Sequence, residues 1–127
     1  LEVSDNYLTG NLPIQLTSLT KLTHINLSNN TFSGSFVLPL QPLKQLQFFS
    51  IALNRLKGTI PDQIFTSVNN TLIVLNIGKN YFKGTIPSSI FTCTKLQYLD
   101  TSSNFFNGTL PRSIGNLQQV QVLYMST

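Results

Sequence analysis

The chain has 127 residues, of which 9% are charged, and carries a net charge of +4. That length fits one structural unit rather than several domains. It holds no apolar run of roughly 18 residues or more, which excludes a membrane-spanning helix within the segment.

Leu1–Ser4 opens with period-2 alternation, Leu1 and Val3 turned inward and Glu2 outward, and so predicts a short strand. The same alternation recurs at His24–Leu27, Phe48–Ile51, Val74–Ile77, Tyr98–Thr101 and Val122–Met125. An asparagine follows each of the first five: Asn6, Asn30, Asn54, Asn80 and Asn104, at spacings of 24, 24, 26 and 24. A glycine stands four residues after each, at Gly10, Gly34, Gly58, Gly84 and Gly108. A repeat of this period predicts a solenoid. The asparagine amide both donates and accepts, so stacked coils would bury these side chains as a ladder bonding neighbouring backbones. After each glycine a second extended stretch runs to a proline, which ends it. Beyond the proline, spaced apolar residues such as Ile90, Cys93 and Leu96 predict a short helical or 3₁₀ turn on the convex side. Two copies depart from this rule. The proline of the second, Pro39, comes two residues late, and the third carries two extra residues around Ser67–Thr71.

Leu46–Pro61 reads LQFFSIALNRLKGTIP, Leu72–Pro87 reads LIVLNIGKNYFKGTIP, and Leu96–Pro111 reads LQYLDTSSNFFNGTLP. The shared pattern LxxLxLxxNxLxGxIP resembles the leucine-rich repeat. Its period and GxIP segment resemble the plant-specific subtype found in receptor-like kinase and receptor-like protein ectodomains and in polygalacturonase-inhibiting proteins. The resemblance covers nearly the whole chain. It implies an α/β solenoid, a right-handed superhelix with a parallel concave sheet and little helix. It also implies a noncatalytic recognition module, extracellular or at the cell surface, that binds a peptide or protein partner through the concave face. A coreceptor is a further partner it allows, and the basic residues Arg55, Lys57, Lys79 and Lys83 suit an acidic partner such as a pectin-like polysaccharide. Two alternatives stand beside it: an inhibitor of a cell-wall-degrading enzyme, and a structural subunit of a larger assembly. The family's caps carry paired cysteines, whereas Cys93 is the only cysteine here. Residues 1–127 are therefore expected to be one array of about five repeats, uncapped at both ends and cut from a longer ectodomain. Cys93 itself occupies an apolar position of its convex turn and reads as a small buried hydrophobe.

The outward strand positions form columns across adjacent coils. His24, Phe48, Val74, Tyr98 and Val122 make an apolar and aromatic stripe; Glu2, Asn26, Ser50, Asn76, Asp100 and Tyr124 make a polar one. Ser4, Ser28, Ala52, Gly78, Ser102 and Ser126 make a column of small residues. Exposed apolar stripes mark contact surfaces, and aromatic residues dominate binding hot spots. Ligand-binding candidates are thus His24, Phe48, Val74 and Tyr98, with Asn76 and Asp100 as hydrogen-bonding groups. Arg55, Lys57, Lys79 and Lys83 form a local basic group suited to an acidic partner.

Four N-x-S/T sequons make Asn26, Asn29, Asn69 and Asn107 glycosylation candidates and point to secretion. A glycan on Asn26 would cover part of the concave surface. Asn11, Ser35, Thr59, Thr85 and Thr109 form a hydroxyl array resembling that of some ice-binding solenoids, interrupted at its start. His24, the single histidine, has no activated serine beside it, and Glu2, Asp5, Asp62 and Asp100 do not pair at a spacing for acid/base work. No metal-ligand cluster, phosphate-binding loop, dinucleotide fingerprint or nucleic-acid motif is present, so neither catalysis nor a cofactor is expected.

Overall fold

Each coil is short because its strands are short, and each strand is short because a backbone reversal at the ladder asparagine follows it. The computed structural model describes residues 1–126; Thr127, at the end of the expected array, lies outside the described residues. Among the described residues ten strands alternate between two parallel sheets. The first sheet holds β2 (His24–Asn26), β4 (Phe48–Ser50), β6 (Val74–Asn76), β8 (Tyr98–Asp100) and β10 (Val122–Tyr124) in that spatial order. The second holds β1 (Thr9–Gly10), β3 (Thr31–Ser35), β5 (Arg55–Gly58), β7 (Tyr81–Gly84) and β9 (Phe105–Phe106). Neighbours in each sheet are consecutive coils, as a leucine-rich-repeat solenoid requires. The helical residues among those described are all 3₁₀, in η1 (Ile14–Ser18), η2 (Asp62–Phe65), η3 (Ser88–Thr92) and η4 (Arg112–Asn116).

Each 3₁₀ turn starts directly after the proline that ends the second extended stretch. Pro13, Pro61, Pro87 and Pro111 keep an extended conformation, and their carbonyls accept from Leu16, Ile64, Ile90 and Ile114 at 3.0–3.2 Å. Proline lacks only the N–H, which the first position of a helical turn does not use. The second coil differs: after its delayed Pro39 the chain makes turns without a 3₁₀ segment. The longer stretch has a packing consequence. Phe36 is buried, with ring centroids 5.9 Å from Phe49 and 6.3 Å from Phe82, so it joins the core of the next two coils. The two extra residues of the third coil lie in a turn between η2 and β6, away from both sheets, with Val68 buried beneath them.

The core is one column of inward side chains per repeat position. Ile25, Phe49, Leu75 and Leu99 point in from the first sheet, Phe32, Leu56 and Phe82 from the second, and Phe65, Phe91 and Cys93 from the convex side. Burying a side chain of this size contributes about 1.5–3 kcal/mol, and each coil buries its set only against its neighbours.

The ladder is formed by Asn30, Asn54, Asn80 and Asn104, all buried. Their Oδ1 atoms accept from the backbone N–H groups of Leu8, Phe32, Leu56 and Phe82 at 2.9–3.1 Å. Their Nδ2 groups donate to the carbonyls of Val3, Leu27, Ile51 and Ile77 in the preceding coil at 2.9–3.0 Å. Asn6 corrects the expectation of five buried rungs. It is exposed and its side chain donates only within its own coil, to Val3 and Ser4 at 3.2 and 2.8 Å, since the described residues include no coil on that side. The residue before each ladder asparagine is left-handed: Asp5, Asn29, Leu53, Lys79 and Ser103 have φ of 51–57°.

The predicted first strand is also corrected. Leu1–Ser4 makes only an isolated bridge, Glu2 to Asn26, in which the Asn26 N–H donates to Leu1 O at 2.9 Å and the Val3 N–H to Asn26 O at 3.0 Å. The other predicted strands are present and one residue shorter, ending where the chain turns toward the asparagine.

Candidate functional site

The parallel register sets the concave columns side by side. His24 pairs with Phe48, Phe48 with Val74, Val74 with Tyr98, and Tyr98 with Val122. At the usual strand spacing Phe48 and Tyr98 stand roughly 10 Å apart across Val74. Phe48, Val74, Asn76 and Tyr98 line a single open depression of about 310 Å³ on this sheet. Of the candidate residues, the structure therefore brings these four together.

The other two lie at its margins. His24 stacks on Phe48 with ring centroids 4.0 Å apart and planes 9° from parallel, covering one face of that ring. Asp100 is partly committed: its Oδ1 accepts from the backbone N–H of Ser102 at 2.8 Å and from the Ser102 hydroxyl at 2.6 Å. The same carboxylate covers Gly78, where a Cβ would come within 2.8 Å of Oδ1. Gly78 is thus required for packing beneath Asp100, and it is buried rather than an open floor. Ala52 of the same column and Ser50 of the polar column are buried as well, whereas Ser4, Ser28 and Ser102 are half-buried and Ser126 is exposed. Asn76 accepts from the Gly78 N–H through Oδ1 at 3.1 Å, and its Nδ2 has no partner among the described residues. That amide is one donor the depression offers.

Electrostatics grade along the sheet. At one end Glu2 accepts from Ser4 N–H at 3.1 Å and from Asn26 Nδ2 at 3.0 Å, and lies 3.5 Å from His24 Nε2. Hydrogen bonding from Ser4, then from Asn26 and His24, outweighs desolvation and holds the Glu2 carboxyl down at about 2. At the other end Tyr98 packs edge-on against Tyr124, centroids 6.1 Å apart. Partial burial, then the charge of Asp100 and the neighbouring Tyr124, pushes the Tyr98 phenol up. It stays a neutral hydrogen-bond donor. Arg55, Lys57, Lys79 and Lys83 are all exposed, but on the second sheet and its turn, away from this depression.

The sequence reading missed a second surface. Outward positions of the second sheet carry Thr31, Arg55, Tyr81 and Phe105, each one residue after a ladder asparagine, and Tyr7 stands at the same offset ahead of β1. Tyr81 and Phe105 are 52% and 64% exposed and stack with centroids 6.2 Å apart. The period-2 alternation after each asparagine carried the signal. The four sequons differ in setting. Asn26 and Asn29 bond to Glu2 and Asp5 through Nδ2, Asn69 is half-buried in its turn, and Asn107 is exposed. In the hydroxyl array, Thr59 and Thr85 lay their methyl groups over Gly84 and Gly108 of the next coil, where a Cβ would come within 3.0 Å. The neighbouring column holds Lys57 and Lys83, whose long charged side chains interrupt the flat surface that array would need. Among the described residues no three His, Cys, Asp or Glu side chains group as metal ligands, and no helix is long and apolar enough to cross a membrane.

The family model described as Leucine Rich Repeat matches residues 21–43, 71–93 and 95–117. The chain is 36% identical over 126 residues to Receptor-like protein 35 of Arabidopsis thaliana, covering 98% of this chain and 13% of that protein. It superposes on the Arabidopsis receptor kinase HAESA, solved in complex with the peptide hormone IDA and the co-receptor SERK1. The TM-score is 0.90 with 35% identity, over 97% of this chain and 20% of that one. A plant ice-binding protein is also similar, at a TM-score of 0.86 and 25% identity, over 98% of this chain and 41% of that one. The chain thus spans a small part of the proteins it matches.

Proposed function

The chain belongs to the leucine-rich-repeat family, and on that premise we propose that it is a noncatalytic recognition segment of an extracellular plant receptor-like protein. Residues 1–127 act as a single repeat array that binds an extended peptide or a protein partner through the concave face. The observation that carries this reading is the depression lined by Phe48, Val74, Asn76 and Tyr98. Two half-buried rings flank a β-branched side chain, and one free amide stands beside them. An extended ligand advances about 3.3 Å per residue, so the span from Phe48 to Tyr98 accommodates two or three residues. Phe48 and Tyr98 serve as anchors, Val74 as the floor between them, and Asn76 and the free oxygen of Asp100 as hydrogen-bonding edges. The similarity to HAESA, solved with both a peptide hormone and a co-receptor, supports a peptide ligand and a coreceptor as the partner classes.

The test is calorimetric titration of the full-length ectodomain with a panel of synthetic secreted-type peptides, followed by hydroxyl-radical footprinting of the bound state. The expected result is protection of Phe48 and Tyr98. A footprint confined to the second sheet or the convex turns would refute the concave mode.

A further inference from the structure

The stacked pair Tyr81 and Phe105 is apolar, exposed and lateral, and the concave-face reading leaves it without a role. Two residues along the chain from Phe105 stands Asn107, the acceptor of the sequon Asn107-Gly108-Thr109. Alternate residues of an extended strand share a face, roughly 6.6 Å apart. Phe105, Asn107 and Thr109 are all exposed, while the intervening Phe106 turns inward and stacks on Phe82. The backbone here is fixed: Asn107 N–H donates to Gly84 O at 2.8 Å, and Gly108 takes a φ of +89° that turns the chain. The Asn107 amide has no partner among the described residues.

The other three sequons are differently placed. Asn26 donates to Glu2 at 3.0 Å and accepts from Ser28 at 3.1 Å, within the concave sheet. Asn29 donates to Asp5 at 2.7 Å from a left-handed turn. Asn69 is half-buried, and its sequon Thr71 bonds back to Val68 O at 3.3 Å. A sugar on Asn26 or Asn29 would displace these contacts once the chain folded.

We infer that Asn107 is the N-glycosylated residue of this chain, and that the first sugar of its glycan packs on the Phe105–Tyr81 stack. The negative faces of aromatic rings attract polarised C–H groups, and a pyranose presents a face of axial C–H bonds. The glycan would cover an apolar pair that otherwise favours association. Transfer forms the bond between Asn107 Nδ2 and the anomeric carbon of a lipid-pyrophosphate-linked oligosaccharide. The bond from that carbon to the pyrophosphate oxygen breaks, and one amide proton leaves with the lipid pyrophosphate. Donor and transferase belong to the secretory pathway, so the inference rests on the extracellular reading.

The test uses the full-length protein secreted from plant cells behind a supplied signal sequence, which presents every sequon to the transferase whatever the natural destination. Glycopeptide mapping should find Asn107 occupied and Asn26 and Asn29 bare. Asn107→Gln and, separately, Thr109→Ala should each remove the glycan and lower Tm by about 2–4 °C. In a Phe105→Ala background the same changes should lower Tm by less than half as much. A bare Asn107 in the secreted protein, occupied Asn26 or Asn29, or an undiminished Tm loss without Phe105 would each overturn the inference. Peptide binding at the concave sheet is read independently, by calorimetry, so either reading can fail alone.

Discussion

The imidazole of His24 lies flat on the phenyl ring of Phe48, 4.0 Å between centroids and 9° from parallel. The two residues are register partners in β2 and β4, so the sheet itself imposes the stack. One face of Phe48 is thereby covered, and the proposed recognition surface begins at its other face, toward Val74. His24 is a wall of the proposed site rather than part of its floor.

Alanine at Phe48 or Tyr98 should each weaken peptide binding by about 2 kcal/mol, or roughly 30-fold in Kd, as hot-spot anchors do. His24→Ala should remove only the stack, costing about 0.5–1.5 kcal/mol of stability, with a smaller effect on affinity than Phe48→Ala. Calorimetry on the three variants, alongside urea unfolding, separates the roles. Equal affinity losses at His24 and Phe48 would contradict them.

Asn80 bonds across coils to the Leu56 N–H at 3.1 Å and the Ile51 carbonyl at 2.9 Å, from a buried position. Asn80→Ala should cost about 1–3 kcal/mol for each buried group left unpaired. Within residues 1–126 the Asn6 side chain makes no such cross-coil bonds, so in this segment Asn6→Ala should change stability by less than about 0.5 kcal/mol. Denaturant unfolding of the two variants tests the contrast directly.

Cys93 is fully buried, its thiol facing the carbonyls of Ser89 and Phe65 at 3.6 and 4.0 Å. Burial pushes its pKa up to about 12. The thiolate is the reactive form, so the native protein should show no labelling by a thiol-reactive dye at pH 8. Labelling should appear in one step on unfolding. Rapid labelling of the folded protein would place Cys93 outside the core.

Glu2 should titrate near 2 in the folded protein, against an ordinary value of 4.5. Between those values the unfolded chain binds more protons than the folded one, so stability falls as pH drops. The contribution is complete above about pH 4.5 and is lost on descending toward pH 2. Carboxyl carbon shifts followed by NMR report the midpoint. Glu2→Gln should flatten this part of the acid limb, whereas a midpoint near 4.5 would show that the Ser4 and Asn26 bonds do not persist in solution.

The solenoid was legible in the chain itself, because a repeat architecture writes every structural position several times. Alternation marked the inward Leu75 and Leu99, the 24-residue spacing marked the ladder asparagines, and the prolines marked the starts of the 3₁₀ turns. Sequence also named Phe48, Val74, Asn76 and Tyr98, since outward positions at equivalent points of successive coils must become neighbours. What it could not decide were relationships that depend on which coil lies beside which, and on how far each side chain reaches. Asn6 matches the ladder pattern but is exposed within the described residues, because a rung needs backbone partners from an adjoining coil. Gly78 and Ala52 occupy outward positions yet are buried, Gly78 beneath the Asp100 carboxylate of the next coil. Leu53 and Lys79 adopt left-handed backbone that their side chains disfavour, held by the cross-coil bonds of the asparagines that follow. Local pattern fixed the coil; stacking decided which of its polar groups are satisfied, which rings are covered and which remain open to a partner.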